Sequence, residues 1–354
     1  MKNAKMMIMA LMVSVMAVVG CGAKKSENIT KAPEGMKVVK LAWSEYPSWS
    51  VFGVADLREI VDGREGWVSP LERKYGRDIV LVQADYDTCI TLYGSNMVDA
   101  VCITNMDTLA PALSRDSVAI LPTSTSDGAD ACIVTNISNL DDLEGRKTYG
   151  LEKSVSQYAH ERNIEIAGRS VADFPFAQMD PSAAAQAMQT NQKGIDAIMV
   201  WNPFVLQTLR TRDGATVLFD STTIKEEIID MVVMGKDAVD EKSACLIIEA
   251  FYEVQKLLAD PKETDATHVA LGAKFSNLGL ADMKIVLKQT KCYKTPAEAL
   301  ALFNSPKFQN EIMPRVVKFC SEHGMLDKKV TVGFNDMDAQ VNFSSDYINK
   351  VKNQ

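Results

Sequence analysis

The chain changes its apolar rhythm in a regular way. Short runs of consecutive apolar residues alternate with longer stretches in which apolar residues recur every three or four positions. A short apolar run between polar residues suits a strand buried on both faces, and the three-to-four spacing suits a helix with one buried stripe. Strands are expected over 36–42 (MKVVKLA), 78–84 (DIVLVQA), 100–104 (AVCIT) and 118–121. A helix is expected within 66–76 (GWVSPLERKYG), and another over 108–113 after the third strand. Such alternation builds βαβ units, with parallel sheets covered by helices on both faces.

The stretch 122–131, PTSTSDGADA, is rich in turn formers and reads as a break. A second series follows: strands in ACIVTN, RKTYGLE, FPFAQM, DAIMVWN and ATVLFDS alternate with the helices SVSQYAHERNIEIAG, PSAAAQAMQTN and PFVLQTLRT. The run IIDMVVMG then reads as a return strand, and the C-terminal third is mainly helical, beginning with 238–258. Two α/β series with a returning tail predict two lobes. Residues 36–126 and 230–354 form lobe 1 and residues 127–229 form lobe 2, with crossings near 126–130 and 221–230. Small ligands bind in the cleft between such lobes.

The N-terminus carries a different signal. Lys2 and Lys5 precede an apolar run from Met6 to Gly20 broken only by Ser14, which is the layout of an export signal over 1–20. The run is shorter than the ~20 residues a membrane-spanning helix needs. Val18-Val19-Gly20-Cys21 resembles the lipobox of bacterial lipoproteins, so Cys21 is the expected lipidation site, and the polar residues 21–35 read as a flexible tether.

Charge narrows the function classes. The chain holds 38 basic and 46 acidic residues; without Lys2 and Lys5 the formal charge moves from −8 to −10. That balance argues against a nucleic-acid partner, which needs a basic face. Six cysteines follow the tether, Cys89, Cys102, Cys132, Cys245, Cys292 and Cys320, with no C-x-x-C pair, which argues against zinc. An exported chain permits disulfides, but spacing leaves their pairing open.

In open α/β sheets ligands sit beyond the carboxyl ends of the strands. Those ends carry WSEYPSWS, with Trp43, Ser44, Tyr46 and Trp49; DYDT, with Asp85; TNMD, with Asn105 and Asp107; TSTSDG, with Ser124; LEKSVSQY, with Ser154, Ser156 and Tyr158; VWNP, with Trp201 and Asn202; and LFDS. Several have a plain structural role as well. Asn105, Asp107 and Ser154 are good helix N-caps, Pro203 marks a helix start, and the tryptophans pack readily between lobes. Together they describe aromatic walls with neutral or acidic hydrogen-bonding groups, suited to a small solute rich in N–H groups. Lys153 stands among them and is expected to be solvated, so that the lining lacks fixed positive charge.

Four segments, TNMDTLAP, LEKSVSQYAHERNIE, VWNPFVLQTL and VLFDSTTIKEEIIDMVVMG, together with AWSEYPSWSVFGVAD, resemble the solute-binding component of nitrate/sulfonate/taurine-class ABC transporters, in the branch associated with urea carboxylase. The likeness runs in order from about Val39 to Gly235. It implies a type II periplasmic-binding fold, with a small-molecule solute and an ABC permease with its ATPase subunits as partners. Taken with the export signal and Cys21, the expectation is a monomeric lipoprotein anchored outside the cytoplasm, with no cofactor or metal. The segment 59–65, EIVDGRE, is longer than the family's first helix and is expected to alter the pocket rim.

The sign of the solute can be argued. Helix N-termini favour anions by ~0.3–1 kcal/mol. One like-charge contact at ~4 Å costs on the order of 4 kcal/mol at a surface-like dielectric. An ionised Asp107 in the cleft therefore selects urea, a guanidine-like cation or an amide, with nitrate, taurine or another sulfonate as the alternative. A hydrolase or desulfinase-like enzyme needs an activated nucleophile or base, and His160, His268 and His323 offer no visible pairing for one. A receptor-coupled sensor would use the same cleft.

Overall fold

The structure, a computed structural model, describes residues 28–353. The export signal, Cys21 and most of the tether lie outside them. The chain runs β1 (Thr30–Lys31), β2 (Lys37–Trp43), α1 (Ser50–Leu57), β3 (Trp67–Val68), α2 (Pro70–Tyr75), β4 (Arg77–Gln83), α3 (Tyr86–Gly94), β5 (Ala100–Thr104) and β6 (Ser117–Ser126). It continues with β7 (Asp130–Val134), α4 (Leu140–Leu143), β8 (Thr148–Gly150), α5 (Val155–Ile166), β9 (Phe176–Gln178), α6 (Pro181–Gln189), β10 (Ala197–Trp201), α7 (Phe204–Thr211) and β11 (Thr216–Asp220). After the return strand β12 (Ile229–Gly235) come α8 (Glu241–Ala259), α9 (Thr264–Lys274), α10 (Leu280–Gln289), β13 (Thr290–Cys292), α11 (Pro296–Phe303), α12 (Met313–Glu322), β14 (Val332–Phe334), β15 (Val341–Phe343) and α13 (Asp346–Lys352).

Two large sheets organise these elements, and β1 and β3 form a separate two-stranded one. The larger has the order β14-β15-β6-β12-β5-β2-β4, with β13 added on β6, and the smaller has the order β11-β7-β10-β8-β9. The chain passes from the large sheet to the small one at 127–129 and returns at 221–228. The sheets are mixed rather than wholly parallel. β2 runs parallel to β4 and β5, and β10 to β8, but β12 is antiparallel to both β5 and β6, and β7 to β10 and β11. The reversals fall on the strands next to the crossings, because a chain that leaves a sheet on one strand and returns on its neighbour runs the opposite way.

Local chemistry explains the element ends. In β5 and β12 every residue is buried, as continuous apolar runs in central strands require. Helix α2 starts at a capping box in which Ser69 and Glu72 exchange bonds, has Pro70 in its first turn and stops at Gly76 with φ +62°. Helix α6 starts at Asp180, which accepts from the Ala183 N–H at 3.0 Å.

Three expectations need correcting. The turn-rich 122–131 is no break at its start, since β6 continues through Ser126 with all ten residues buried. Its polar side chains find partners inside the protein: Thr125 Oγ1 donates to Ile228 O at 2.9 Å and Thr123 Oγ1 bonds Ser48 Oγ at 3.0 Å. Pro122, which has no N–H, falls at a register shift between β6 and β12, where a ladder bond is missing anyway. The tether does not extend to 35, because β1 pairs with β3 and Arg73 donates to Asn28 O and Thr30 Oγ1 at 3.0 and 2.9 Å. Third, the helix expected over 108–113 is a turn followed by a 3-10 turn at Pro111–Leu113. The tail also holds strands, β14 and β15, which join the large sheet through β6 and pack Phe343 against Phe303 and Phe308.

Among the described residues no helix is long and apolar enough to cross a membrane. All six cysteines there are buried free thiols.

Candidate functional site

The C-terminal ends of β2, β4, β5, β8 and β10 meet around a cavity of about 690 Å³ lined from both sheets. Its wall on the large-sheet side is aromatic. Tyr46 and Trp49 follow β2 with ring centroids 4.9 Å apart, and Trp49 stacks on Tyr86 of α3 at 5.3 Å and 17°. The buried Trp49 Nε1–H has no partner among the described residues. From the small sheet come Trp201 at the end of β10 and Leu151, Ser154 and Val155 at the start of α5.

The polar lining is acidic. Asp107, Asp130 and Asp230 line the cavity, Glu45, Asp85 and Asp87 complete a set of six carboxylates, and among the described residues Lys153 is the single cationic side chain in the lining. Asp130 opens β7 and Asp230 lies in β12, so the two stand beside the two crossings; each is only 2 % exposed. Asp130 accepts from Ser126 Oγ at 2.6 Å, and Asp230 accepts from Ser124 Oγ at 2.5 Å. Burial pushes the Asp130 carboxyl up to about 6 against the Ser126 hydroxyl. Burial raises Asp230 further still, and the neighbouring Asp130 and Asp107 charges add to the rise. Asp107 accepts from Tyr86 Oη and Thr104 Oγ1, both at 2.7 Å, and burial raises its carboxyl while those two bonds oppose the rise.

Seven of the thirteen residues expected at the site line the cavity: Ser44, Tyr46, Trp49, Asp85, Asp107, Ser154 and Trp201. Two of these also act as caps. Asp85 caps α3 through the Thr88 N–H at 2.9 Å, and Ser154 caps α5 through the Ser156 N–H at 3.1 Å. Asp107 caps no helix, so its carboxylate is committed to the cavity wall.

The other six are displaced into supporting positions. Trp43 is core, its ring packed against Gly53 so closely that an added Cβ would meet it at 2.7 Å. Asn105 clasps the return segment, donating from Nδ2 to Glu227 O at 3.1 Å and accepting at Oδ1 from the Ile229 N–H at 3.0 Å. Ser124 reaches the cavity only through Asp230. Ser156 is fully buried, its hydroxyl without a partner among the described residues. Tyr158 donates to Glu227 Oε2 at 2.5 Å, and Asn202 donates to Gln289 Oε1 at 2.8 Å. All six sit within three residues of a strand end or helix start, but their side chains bond or pack elsewhere than in the cavity lining.

Two further expectations fail. The lining does hold a positive charge: Lys153, with φ +53°, precedes the Ser154 cap, is exposed, and extends its ammonium to 4.0 Å from where a Cβ on Gly324 would stand. It is thus a rim residue as well as a solvated one. The segment 59–65 contributes nothing to the cavity.

Sequence reasoning missed Asp130, Asp230, Tyr86 and Thr104. Asp130 and Asp230 stand at strand starts rather than ends, in stretches read as a turn and a return strand. The signal available was an Asp inside the buried apolar run IIDMVVMG, where a carboxylate needs a reason. None of the three histidines lines the cavity. His160 is buried between Phe176 and Phe219 with Nε2 3.1 Å from Thr148 Oγ1, and burial lowers it to about 3, so it is neutral. His323 Nε2 lies 2.9 Å from Glu161 Oε1.

No protein-family model matches the sequence, and no curated protein does. Solved structures do match. The periplasmic aliphatic sulphonate binding protein SsuA from Escherichia coli superposes with a TM-score of 0.65 at 18% identity, over 83% of this chain and 94% of that one. The alkanesulfonate-binding protein SsuA from Xanthomonas axonopodis pv. citri, bound to MOPS, gives 0.62 at 14% identity, over 84% and 96%. The Candida albicans CA3427 gene product, described as having the generic periplasmic binding protein structural fold, gives 0.58 at 12% identity, over 89% and 94%. The chain therefore has the two-lobed α/β fold of periplasmic binding proteins, with its cavity where the strand ends of the two sheets converge.

Proposed function

We propose that this protein is the extracytoplasmic solute-binding component of an ABC importer, and that it captures a small nitrogenous solute of the urea, guanidine-like or amide-like kind. The observation that carries the reading is the lining, six carboxylates and one exposed lysine around stacked aromatic rings. Buried carboxylates accept N–H bonds and repel anions, and the rings cover a flat ligand. The likeness of the five sequence segments to the urea-carboxylase-associated branch supports the same solute class.

In this reading lobe 1 is 36–126 with 230–354 and lobe 2 is 127–229. Solute first meets Tyr46, Trp49 and the aspartates in the open cleft. Ser154 and Trp201 then close over it, and the closed form docks on a permease, a population shift driven by the tighter binding of that form. Cys21 anchors the chain to the membrane by lipid, and the protein acts as a monomer that delivers its solute unchanged.

One observation favours a second reading. Lys153 lines the cavity, and the two bacterial relatives above bind sulfonates, so a small anion such as taurine or nitrate is the alternative. An exposed ammonium is screened by water, whereas Asp130 and Asp230 are buried, so the carboxylates dominate. Calorimetric titration with urea, guanidinium, nitrate and taurine separates the readings. Binding of urea or guanidinium alone is expected. Binding of taurine or nitrate with no response to the nitrogenous solutes overturns the first reading.

A further inference from the structure

The floor of the cavity carries more information than its overall sign. Asp130 and Asp230 reach it from different sheets and from opposite sides of the chain crossings. Each has its Oδ2 engaged by one serine hydroxyl, which fixes the carboxylate's orientation. Trp49 and Tyr86, stacked at 5.3 Å and 17°, line the same cavity and offer it a flat aromatic wall.

Two buried carboxylates close enough to feel each other's charge are unstable as a pair of anions. Two events relieve that: a proton, or a cation placed between them. A neutral amide supplies N–H donors but no charge. A planar cation with N–H bonds on two edges supplies both and can bond each carboxylate in a charge-assisted pair while lying flat against the rings.

We infer that Asp130 and Asp230 form a two-armed receptor for one amidinium or guanidinium cation, and that the cation enters in exchange for a proton. This rests on the nitrogenous-solute reading and narrows it from urea-like to cationic solutes. In the exchange the O–H bond of the protonated carboxyl breaks, its proton passes to solvent, and the cation's N–H groups take its place; nothing is oxidised or reduced. The titratable and charged groups around the pair are Tyr46 and Asp107, Cys102, Cys292 and Tyr293 near Asp230, and Lys153, Glu45, Asp85 and Asp87 in the lining. Of these only Lys153 opposes a cation, and it is exposed.

The sign follows from linkage. Burial and mutual repulsion raise the empty pair's hold on a proton, and a bound cation lowers it, so binding tightens as pH rises until the empty pair is itself ionised. One proton released gives about tenfold per pH unit within that range. Guanidinium, acetamidinium, benzamidinium, urea and taurine are titrated calorimetrically at pH 6 and pH 8, and at each pH in two buffers of different ionisation enthalpy. At least one cation is expected to bind, roughly tenfold or more tighter at pH 8, with the buffer dependence of the heat reporting about one proton released. Asp130→Asn and Asp230→Asn are each expected to abolish the proton release; the two-buffer measurement on the unaltered chain reads it even if a variant fails to fold. Cation binding without proton release overturns the inference. So does binding of urea with no response to pH, which leaves the nitrogenous-solute reading standing. Binding of taurine alone, or of none of the three cations, overturns it; taurine binding alone overturns both.

Discussion

Replacing Asn105 with alanine separates a ligand contact from a structural clasp. The side chain is fully buried and joins the turn after β5 to the return segment by two bonds, to Glu227 O at 3.1 Å and from the Ile229 N–H at 3.0 Å. Both partners are backbone groups in buried residues, so Asn105→Ala leaves one donor and one acceptor without water or protein to bond. Each orphaned group costs about 1–3 kcal/mol, for a total on the order of 3 kcal/mol. The backbone bond from the Asn105 N–H to Ile229 O at 2.8 Å survives and keeps the strands in register. Urea unfolding followed by tryptophan fluorescence reads the loss. With a slope of about 3 kcal/mol/M, the midpoint should fall by roughly 1 M at unchanged slope. Solute affinity should change by less than about threefold, because Asn105 is not in the lining. A loss of stability below ~1 kcal/mol together with a tenfold or larger loss of affinity would refute this and return Asn105 to the site.

Further outcomes can be checked in the same way. Asp107→Ala removes a carboxylate held by Tyr86 and Thr104, and should weaken a cationic solute by about 2–4 kcal/mol while strengthening any anion, as read by calorimetry. Glu227 accepts from Tyr158, Arg162 and Arg315, and despite its burial the bonds from Arg162 and Tyr158 hold it below the usual carboxylate range. Glu227→Gln leaves Arg162 and Arg315 less well paired between α5 and α12, and should lower stability by about 3–5 kcal/mol in a thermal or urea melt. His160 lies at about 3 in the folded chain against 6.5 for an ordinary histidine, so only the unfolded chain takes up its proton between those values. Its contribution is therefore full above about pH 6.5 and is lost at about 1.4 kcal/mol per unit as pH falls below it. The urea midpoint of His160→Leu should fall less steeply between pH 7 and pH 5 than that of the unaltered chain.

The order of elements and the two-lobed α/β design were legible in the sequence, because apolar runs such as AVCIT and IIDMVVMG report burial directly and the alternation of strand and helix leaves few topologies. Strand ends also pointed to the cavity, since a parallel sheet exposes its loops at one edge; Trp49, Asp107 and Trp201 were found that way. Which neighbours face the gap was decided only in three dimensions. Asn105 and Asp107 are two residues apart, yet the turn after β5 sends one to the return segment and the other to the cavity. Asp130 and Asp230 are one hundred residues apart and line one cavity only because the two crossings run side by side between the sheets. A sequence records how each segment is buried; the charge of a pocket comes from side chains that distant segments bring together, and the tertiary fold alone sets that.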